Sequence, residues 1–176
     1  MADEAKRVKL THSFGPFYRP DSRILILGSF PSVKSREMNF FYGHPQNRFW
    51  KVMTAIFEPA GAEAPETVAE RMAFLERHGI ALYDVIEECT IIGSADSTIR
   101  DVKVTDLRPI LDAASIGKRI YANGAKSHSL YMKYIFPELG IRAEKLPSTS
   151  PANAAWTLPR LIEAWNEVLG PADRKD

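Results

Sequence analysis

Two short segments concentrate the groups with which proteins grip phosphate. Residues 28–32 read GSFPS and residues 147–153 read PSTSPAN. Serine hydroxyls and unpaired backbone N–H groups are good phosphate ligands, and proline holds a loop in shape at low entropic cost. Gly28, Ser29, Pro31, Ser32 and Ser35 supply such groups in the first segment, and Ser148, Ser150 and Pro151 in the second. Either segment alone also reads as an ordinary turn. Side by side they could pinch a phosphodiester backbone without any net charge. Between the first segment and the next helix lies MNFFYGHPQNRFW, residues 38–50. Phe40, Phe41 and Tyr42 suit a stacking wall for a flat ring, or equally a core beside a helix start. The amides of Asn39 and Asn47 can donate and accept hydrogen bonds. Asn47 opens a helix and reads as its N-cap. Asn39 has no helix to cap, which leaves it free to position water or touch a ligand. His44 before Pro45 is either a turn residue or an acid/base group.

Four β-like runs must carry these loops: Arg23–Leu27, Ile80–Ile86, Lys118–Ala122 and Ile141–Leu146. Helical patterns separate them. Phe49, Trp50, Met53, Ile56 and Phe57 recur on one helical face, as do Val68, Met72 and Leu75 before Gly79, a good C-cap. Leu107, Ile110 and Leu111 suggest another helix, with Thr105 as N-cap and Asp106 in the first turn. Residues 127–136 form a further helix, and Leu161, Ile162, Trp165, Val168 and Leu169 the last one, stopped at Gly170-Pro171. Alternating strands and helices, with nearly continuous apolar strands, predict a three-layer α/β/α domain around a parallel sheet. Ligands of such sheets sit at the carboxyl ends of the strands, which is where GSFPS, NGAKS and PSTSPAN fall. The whole chain, residues 1–176, reads as one domain, with a flexible tail over residues 1–12.

The totals exclude several classes of function. The 176 residues are 45% hydrophobic and 26% charged, with a net charge of +1, so a polyanion would have to meet a local basic group. Lys34, Arg36, Arg48 and Lys51 form one such group, and Arg100, Lys103 and Arg108 another. A single cysteine, Cys89, rules out a disulfide framework, and four scattered histidines argue against a metal site, so no metal or cofactor is expected. No apolar run reaches membrane-span length and the N-terminus lacks a secretory signal; a cytoplasmic protein without a membrane partner is expected. GxGxxG, GxxxxGK[ST] and GxSxG are all absent, which weakens nucleotide and serine-hydrolase readings.

The stretches LILGSFPS and YGHPQNRFW, followed far downstream by LPSTSPAN, resemble the uracil-DNA glycosylase superfamily, in particular its hypoxanthine (deoxyinosine) branch. The resemblance covers roughly residues 20–165. It implies a central four-stranded parallel sheet between helices and monofunctional hydrolysis of the N-glycosidic bond of a deaminated base, most simply hypoxanthine, flipped out of DNA. Uracil as substrate, or a non-catalytic DNA-binding module of this fold, are the alternatives. Related enzymes carry an Asp or Asn just after the first-loop glycine, where this chain has Ser29 and Phe30; the resemblance moves the catalytic amide to Asn39. Gly28, Ser29, Phe30, Phe41, Tyr42, His44, Asp84 and Asn123 are then expected around the base. Asp84 would accept from hypoxanthine N1–H. Pro31, Ser32, Lys34, Ser35, Ser148, Thr149, Ser150 and Pro151 would touch phosphates, with Ala152 and Asn153 entering the base stack. The partner implied is DNA, bound by a monomer.

Overall fold

A computed structural model describes residues 6–93 and 95–170. In chain order these form β1 (Val8–Thr11), β2 (Ile24–Gly28), α1 (Val33–Met38), α2 (Phe49–Phe57), α3 (Val68–His78), β3 (Ile80–Asp84) and β4 (Ile86–Ile91). There follow a 3-10 turn at Asp96–Thr98, β5 (Arg100–Val104), α4 (Arg108–Ala113), β6 (Ile120–Asn123), α5 (Ala125–Leu130), a π turn at Tyr131–Ile135, α6 (Phe136–Leu139), β7 (Glu144–Leu146) and α7 (Leu158–Leu169).

The central sheet is parallel throughout, in the order β3-β2-β6-β7. Every residue of β2 is buried because helices cover both faces. Ile24 and Ile26 point into a core with Phe49, Met53, Phe74 and Trp165 of α2, α3 and α7. Leu25 and Leu27, on the alternate face, pack with Leu107, Ile110, Tyr131 and Ile135. The period of two in a strand thus serves two cores at once, which is why the run is apolar at every position.

A second, antiparallel sheet of order β1-β4-β5 was not legible in the sequence. The run expected to be one strand over Ile80–Ile86 is two: β3 ends at Asp84, and β4 leaves the central sheet at Ile86. The tail expected over residues 1–12 is also corrected. Val8–Thr11 pairs with Ile91–Glu88, and the His12 N–H donates to the Glu87 carbonyl at 2.7 Å. Residues 1–5 lie outside the described residues. Thr105 does not cap α4; its buried hydroxyl donates to the Asp84 carbonyl at 2.9 Å, while Asp106 Oδ1 accepts from the Arg108 N–H. The helix expected over 127–136 begins at Ala125 and widens into the π turn. Asn39 does have a helix to cap. It ends α1 in the left-handed conformation, φ 53°.

Arg48, at the head of α2, explains how the loop after β7 holds its shape. Its Nη2 donates to the carbonyls of Ser150 (2.8 Å) and Asn153 (3.1 Å), its backbone N–H to that of Thr149 (3.1 Å), and its Nη1 to that of Trp156. A guanidinium presents five donors in a rigid fork, so one side chain satisfies several carbonyls that a tight loop would otherwise strand. Arg48 is therefore committed to the protein rather than to an external anion. Replacing it by alanine should loosen residues 148–156, with amide exchange there rising well above that of the central sheet, at a stability loss of about 1–3 kcal/mol. Phe49 beside it is fully buried, its ring 3.9 Å from that of Tyr42 and 6.0 Å from that of Trp165. Phe49→Ala should cost about 3–5 kcal/mol in urea unfolding.

Candidate active site

The strand ends, the loop after β2 and the loop after β7 enclose a cleft of about 190 Å³. Gly28, Ser29, Phe30, Pro31, Ser32 and Ser35 line it from the first loop. Phe41, Tyr42, His44 and Asn47 continue that wall. Asp84 and Asn123 stand at the ends of β3 and β6, and Ser148, Thr149, Ser150 and Ala152 close the far side. Ala95 and Asp96 reach in from the connection between β4 and β5.

The parallel register sets Gly28 beside Asp84. A Cβ on residue 28 would stand 2.5 Å from Asp84 Oδ1, so the missing side chain makes room for the carboxylate over the strand end. The other oxygen, Oδ2, lies 2.7 Å from His12 Nε2. Tyr42 takes a left-handed backbone, φ 53°, and with Asn39 brackets Phe40 and Phe41 between two chain reversals that turn both rings inward. The Tyr42 hydroxyl is buried near Gly28 and unpartnered; Asn123 is near it but not in hydrogen-bonding geometry. Loss of water, reinforced by the charge of Asp84, raises the phenol well above its usual range, so it remains neutral.

Three elements are joined by one chain of hydrogen bonds. Asn123 Nδ2 donates to Thr149 Oγ1 (3.0 Å), and that hydroxyl donates to Asn47 Oδ1 (2.9 Å). The Thr149 N–H returns to Asn123 Oδ1 (3.1 Å), and the Phe49 N–H also holds Asn47 Oδ1 (2.9 Å). Thr149 is fully buried. With both lone pairs of its oxygen used, Asn47 is left with its Nδ2 hydrogens, which no described residue takes up. Gly124, φ 99°, allows the second loop to approach, since a Cβ there would meet Ser148 at 3.1 Å.

The hydroxyls of Ser148 and Ser150 accept from N–H groups two residues ahead, so each O–H hydrogen remains available to an external acceptor. The Ser32 hydroxyl caps α1 by accepting from the Ser35 N–H, and Ser35 Oγ, nearly buried, accepts from the Gly43 N–H. Ser35 is thus a knot within the loop. His44 Nδ1 accepts from the Gln46 N–H at 3.1 Å, which leaves Nε2 as the proton-bearing nitrogen.

Several expected residues are not brought to the cleft. Asn39 is exposed at the end of α1 and does not line it. Lys34 is exposed and pairs with Glu37 at 3.2 Å. Asn153 turns back into its own loop, donating to the Ser148 carbonyl at 3.0 Å, and neither it nor Pro151 lines the cleft. Phe40 lies in the core against Trp50, while Phe41 alone of that pair reaches the cleft.

Two lining residues carry more than the sequence reading gave them. Asn47 had the signature of an N-cap; the N-cap falls one residue later, at Arg48, and Asn47 instead accepts the Phe49 N–H from just outside the helix, a position nothing local marks as facing a cleft. Asp96 sits in a segment that reads as a turn, yet both its oxygens accept from the Ser29 hydroxyl at 3.1 Å. Its surface remains open to solvent at the cleft mouth. Lost hydration of the carboxylate, with a smaller push from Asp84, raises its pKa above the usual carboxylate range, against the Ser29 hydrogen bond and the charge of Lys126. Ser94 lies outside the described residues. Among the described residues there is no acidic, histidine and cysteine cluster able to hold a metal, and no helix long and apolar enough to cross a membrane.

Comparison with known proteins converges on one family. Residues 16–169 match the model of the uracil DNA glycosylase superfamily. A hypoxanthine DNA glycosylase of Methanosarcina barkeri is 31% identical over 142 residues, covering 80% of this chain and 86% of that one. Another, from Methanosarcina acetivorans, is 32% identical over 150 residues, covering 85% and 91%. The solution NMR structure of a Methanosarcina acetivorans protein assigned as a uracil DNA glycosylase superposes with a TM-score of 0.70 at 29% identity, over 92% of this chain and 96% of that one. With the motifs at the ends of the strands and the three-layer fold around them, the chain belongs to the uracil DNA glycosylase superfamily.

Proposed function

We propose that the protein is a monofunctional DNA glycosylase that hydrolyses the N-glycosidic bond of a deaminated base, with deoxyinosine as its principal substrate. It acts as a single-domain monomer on chromosomal DNA in the cytoplasm. The observation that carries the reading is Asp84 Oδ1, a nearly buried acceptor set over Gly28 in the cleft. Hypoxanthine presents a donor at N1, whereas adenine presents an acceptor there. A carboxylate that receives no hydrogen bond from the base is left desolvated and unpaired, and such mismatches discriminate strongly. Uracil presents N3–H and meets the same criterion, so it is the second substrate to test.

Phe30 and Phe41 offer apolar faces to the extruded ring. The O–H groups of Ser148 and Ser150 are donors for the flanking phosphates, with Pro31 and Pro151 stiffening their loops and Ala152 at the exposed rim; the Ser32 O–H is already given to Ser35 Oγ at 3.1 Å. Departure of the base leaves an oxocarbenium-like sugar. The Asn47 amide hydrogens are placed to hold the attacking water by its oxygen. Asp96, the other carboxylate of the cleft, takes the water's proton and faces the sugar's positive charge with its own. His44 Nε2–H is a donor for the departing purine. Among the described residues no lysine lines the cleft, and strand-cleaving lyase chemistry is not expected.

The first test is cleavage of matched duplexes carrying deoxyinosine, uracil or an undamaged base, read after alkaline treatment of abasic sites. Cleavage at deoxyinosine supports the assignment, cleavage at uracil alone transfers it to that base, and binding without cleavage reduces the protein to a binding module. Asn47→Ala should slow the single-turnover step by about 100-fold or more, while Asn39→Ala should stay within about threefold of wild type. Asp96 works ionised and its pKa is raised, so the rate should fall as pH drops through that value. Asp96→Asn should be slow and lack this acid limb. Gly28→Ala should displace the Asp84 carboxylate and abolish preference for deoxyinosine over deoxyadenosine while the protein still folds, as its circular dichroism would show.

A further inference from the structure

We propose that His12, from the β1 segment outside the central sheet, is a positioning residue for base recognition: it holds one oxygen of Asp84 so that the other is aimed at the base. This rests on the reading of Asp84 given above. The His12 and Asp84 side chains are 1% and 7% exposed, with Nε2 and Oδ2 2.7 Å apart. His12 Nδ1 accepts from the Phe14 N–H at 3.5 Å, which makes Nε2 the donor to the carboxylate. The ring is walled by Phe14 (4.6 Å between centroids), Tyr83 (5.0 Å) and Phe30 (6.0 Å), and among the described residues Asp84 is its one side-chain polar partner.

The need for such a holder follows from the carboxylate itself. The terminal torsion of an aspartate is broad and roughly two-fold, so an untethered Asp84 would rotate and present neither oxygen in a fixed direction. Thr105 anchors the backbone carbonyl of Asp84, and pairing with β2 anchors the strand, but neither fixes that torsion. His12 does. Its own place is set by the antiparallel register of β1, with Thr11 opposite Glu88, and by its N–H on the Glu87 carbonyl. The second sheet thereby becomes part of the recognition apparatus: β4 continues from β3 just past Asp84 and carries back, through β1, the residue that aims it. Recognition that requires a directed acceptor is a matter of angle as much as distance, since hydrogen bonds weaken steeply when misaligned.

Two substitutions separate the hydrogen bond from the packing. His12→Phe keeps an aromatic ring in the wall and removes the donor; His12→Gln keeps a donor and gives up the ring. Wild type, both variants, Asp84→Asn and the double variant His12→Phe/Asp84→Asn would be assayed under single turnover on a deoxyinosine duplex. Affinity for an undamaged duplex and the melting temperature of each variant would be measured beside the rate. His12→Phe should lose about 30-fold or more in rate with duplex affinity unchanged, and His12→Gln should recover most of that loss. The double variant should be no slower than Asp84→Asn, because two residues acting through one interaction are not additive. A wild-type rate for His12→Phe alongside a slow Asp84→Asn overturns the role of His12 and leaves the Asp84 reading standing. Losses that multiply in the double variant also overturn it. A wild-type rate for Asp84→Asn removes the Asp84 reading itself. If His12→Phe fails to fold, His12→Gln decides: a rate as low as that of Asp84→Asn in a protein of wild-type melting temperature refutes the proposal, and a rate near wild type supports it.

Discussion

The cleft depends on a side chain that is not there. Gly28 ends the most buried strand of the molecule, and its neighbour in register is Asp84. Any Cβ at Gly28 would fall on the Asp84 carboxylate. The parallel pairing of β2 with β3, itself dictated by two apolar faces that must both be covered, therefore decides where the buried carboxylate of the site can stand. Everything beyond the strand end is arranged around that fixed point. The first loop folds over it through Ser32 and Ser35, the second sheet buttresses it from behind, and the second loop closes the opposite side.

That opposite side is organised on a different principle. Its order comes from backbone carbonyls satisfied by the part-buried guanidinium of Arg48 and from hydrogen bonds among Asn47, Asn123 and Thr149. A loop with this many internal bonds keeps its shape without packing deeply into a core. It can thus present serine hydroxyls at its surface while Thr149 stays fully buried. A net charge near zero is compatible with a polyanionic partner when the contact is made by O–H and N–H donors held in this way, because such donors position a backbone without requiring a broad basic field.

Much of this was legible in the sequence, and the failures have physical reasons. Strands β2, β3 and β6 announced themselves because residues buried on both faces must be apolar at nearly each position, and the loops because glycine, proline and serine cluster at the strand ends; β7, an edge strand with two of three residues exposed, is shorter than the run expected over Ile141–Leu146. The antiparallel sheet gave no such signal. VKLT and RDVKV are largely exposed, so the first reads as tail and the second only as part of a local basic group. Asn39 and Asn47 illustrate the limit for the site. Both are polar residues between aromatic ones, and sequence offers no measure of which way a turn faces. Asn39 is spun outward by the left-handed end of α1, a helix too short to leave a periodic pattern. Asn47, which looked like a simple cap, is carried inward because the same oxygen that accepts the Phe49 N–H also meets Thr149, 102 residues downstream. His12 was invisible for the same reason: its partner lies 72 residues away, and nothing near it in the chain hints at a carboxylate.

The charge at Asp84 also bears on when selection occurs. Extruding a base from a duplex costs a few kcal/mol whatever the base. A cleft lined only by aromatic faces would repay that cost almost equally for every purine, since stacking is tolerant of ring substituents. A desolvated carboxylate changes the balance. It repays extrusion for a ring that brings an N–H to it, and penalises a ring that brings a lone pair, by about 1–3 kcal/mol for the unmet acceptor alone. Discrimination of this kind acts on the extrusion equilibrium, before the water has any part in it. The same carboxylate repels the phosphates on either side, which is tolerable only if it lies deep and points inward. Its 7% exposure and its tether to the buried ring of His12 meet that condition. The acidic group at the mouth of the cleft, Asp96, is tied to the Ser29 hydroxyl instead. Depth, and not residue type, separates these two carboxylates, and with it the roles proposed for them.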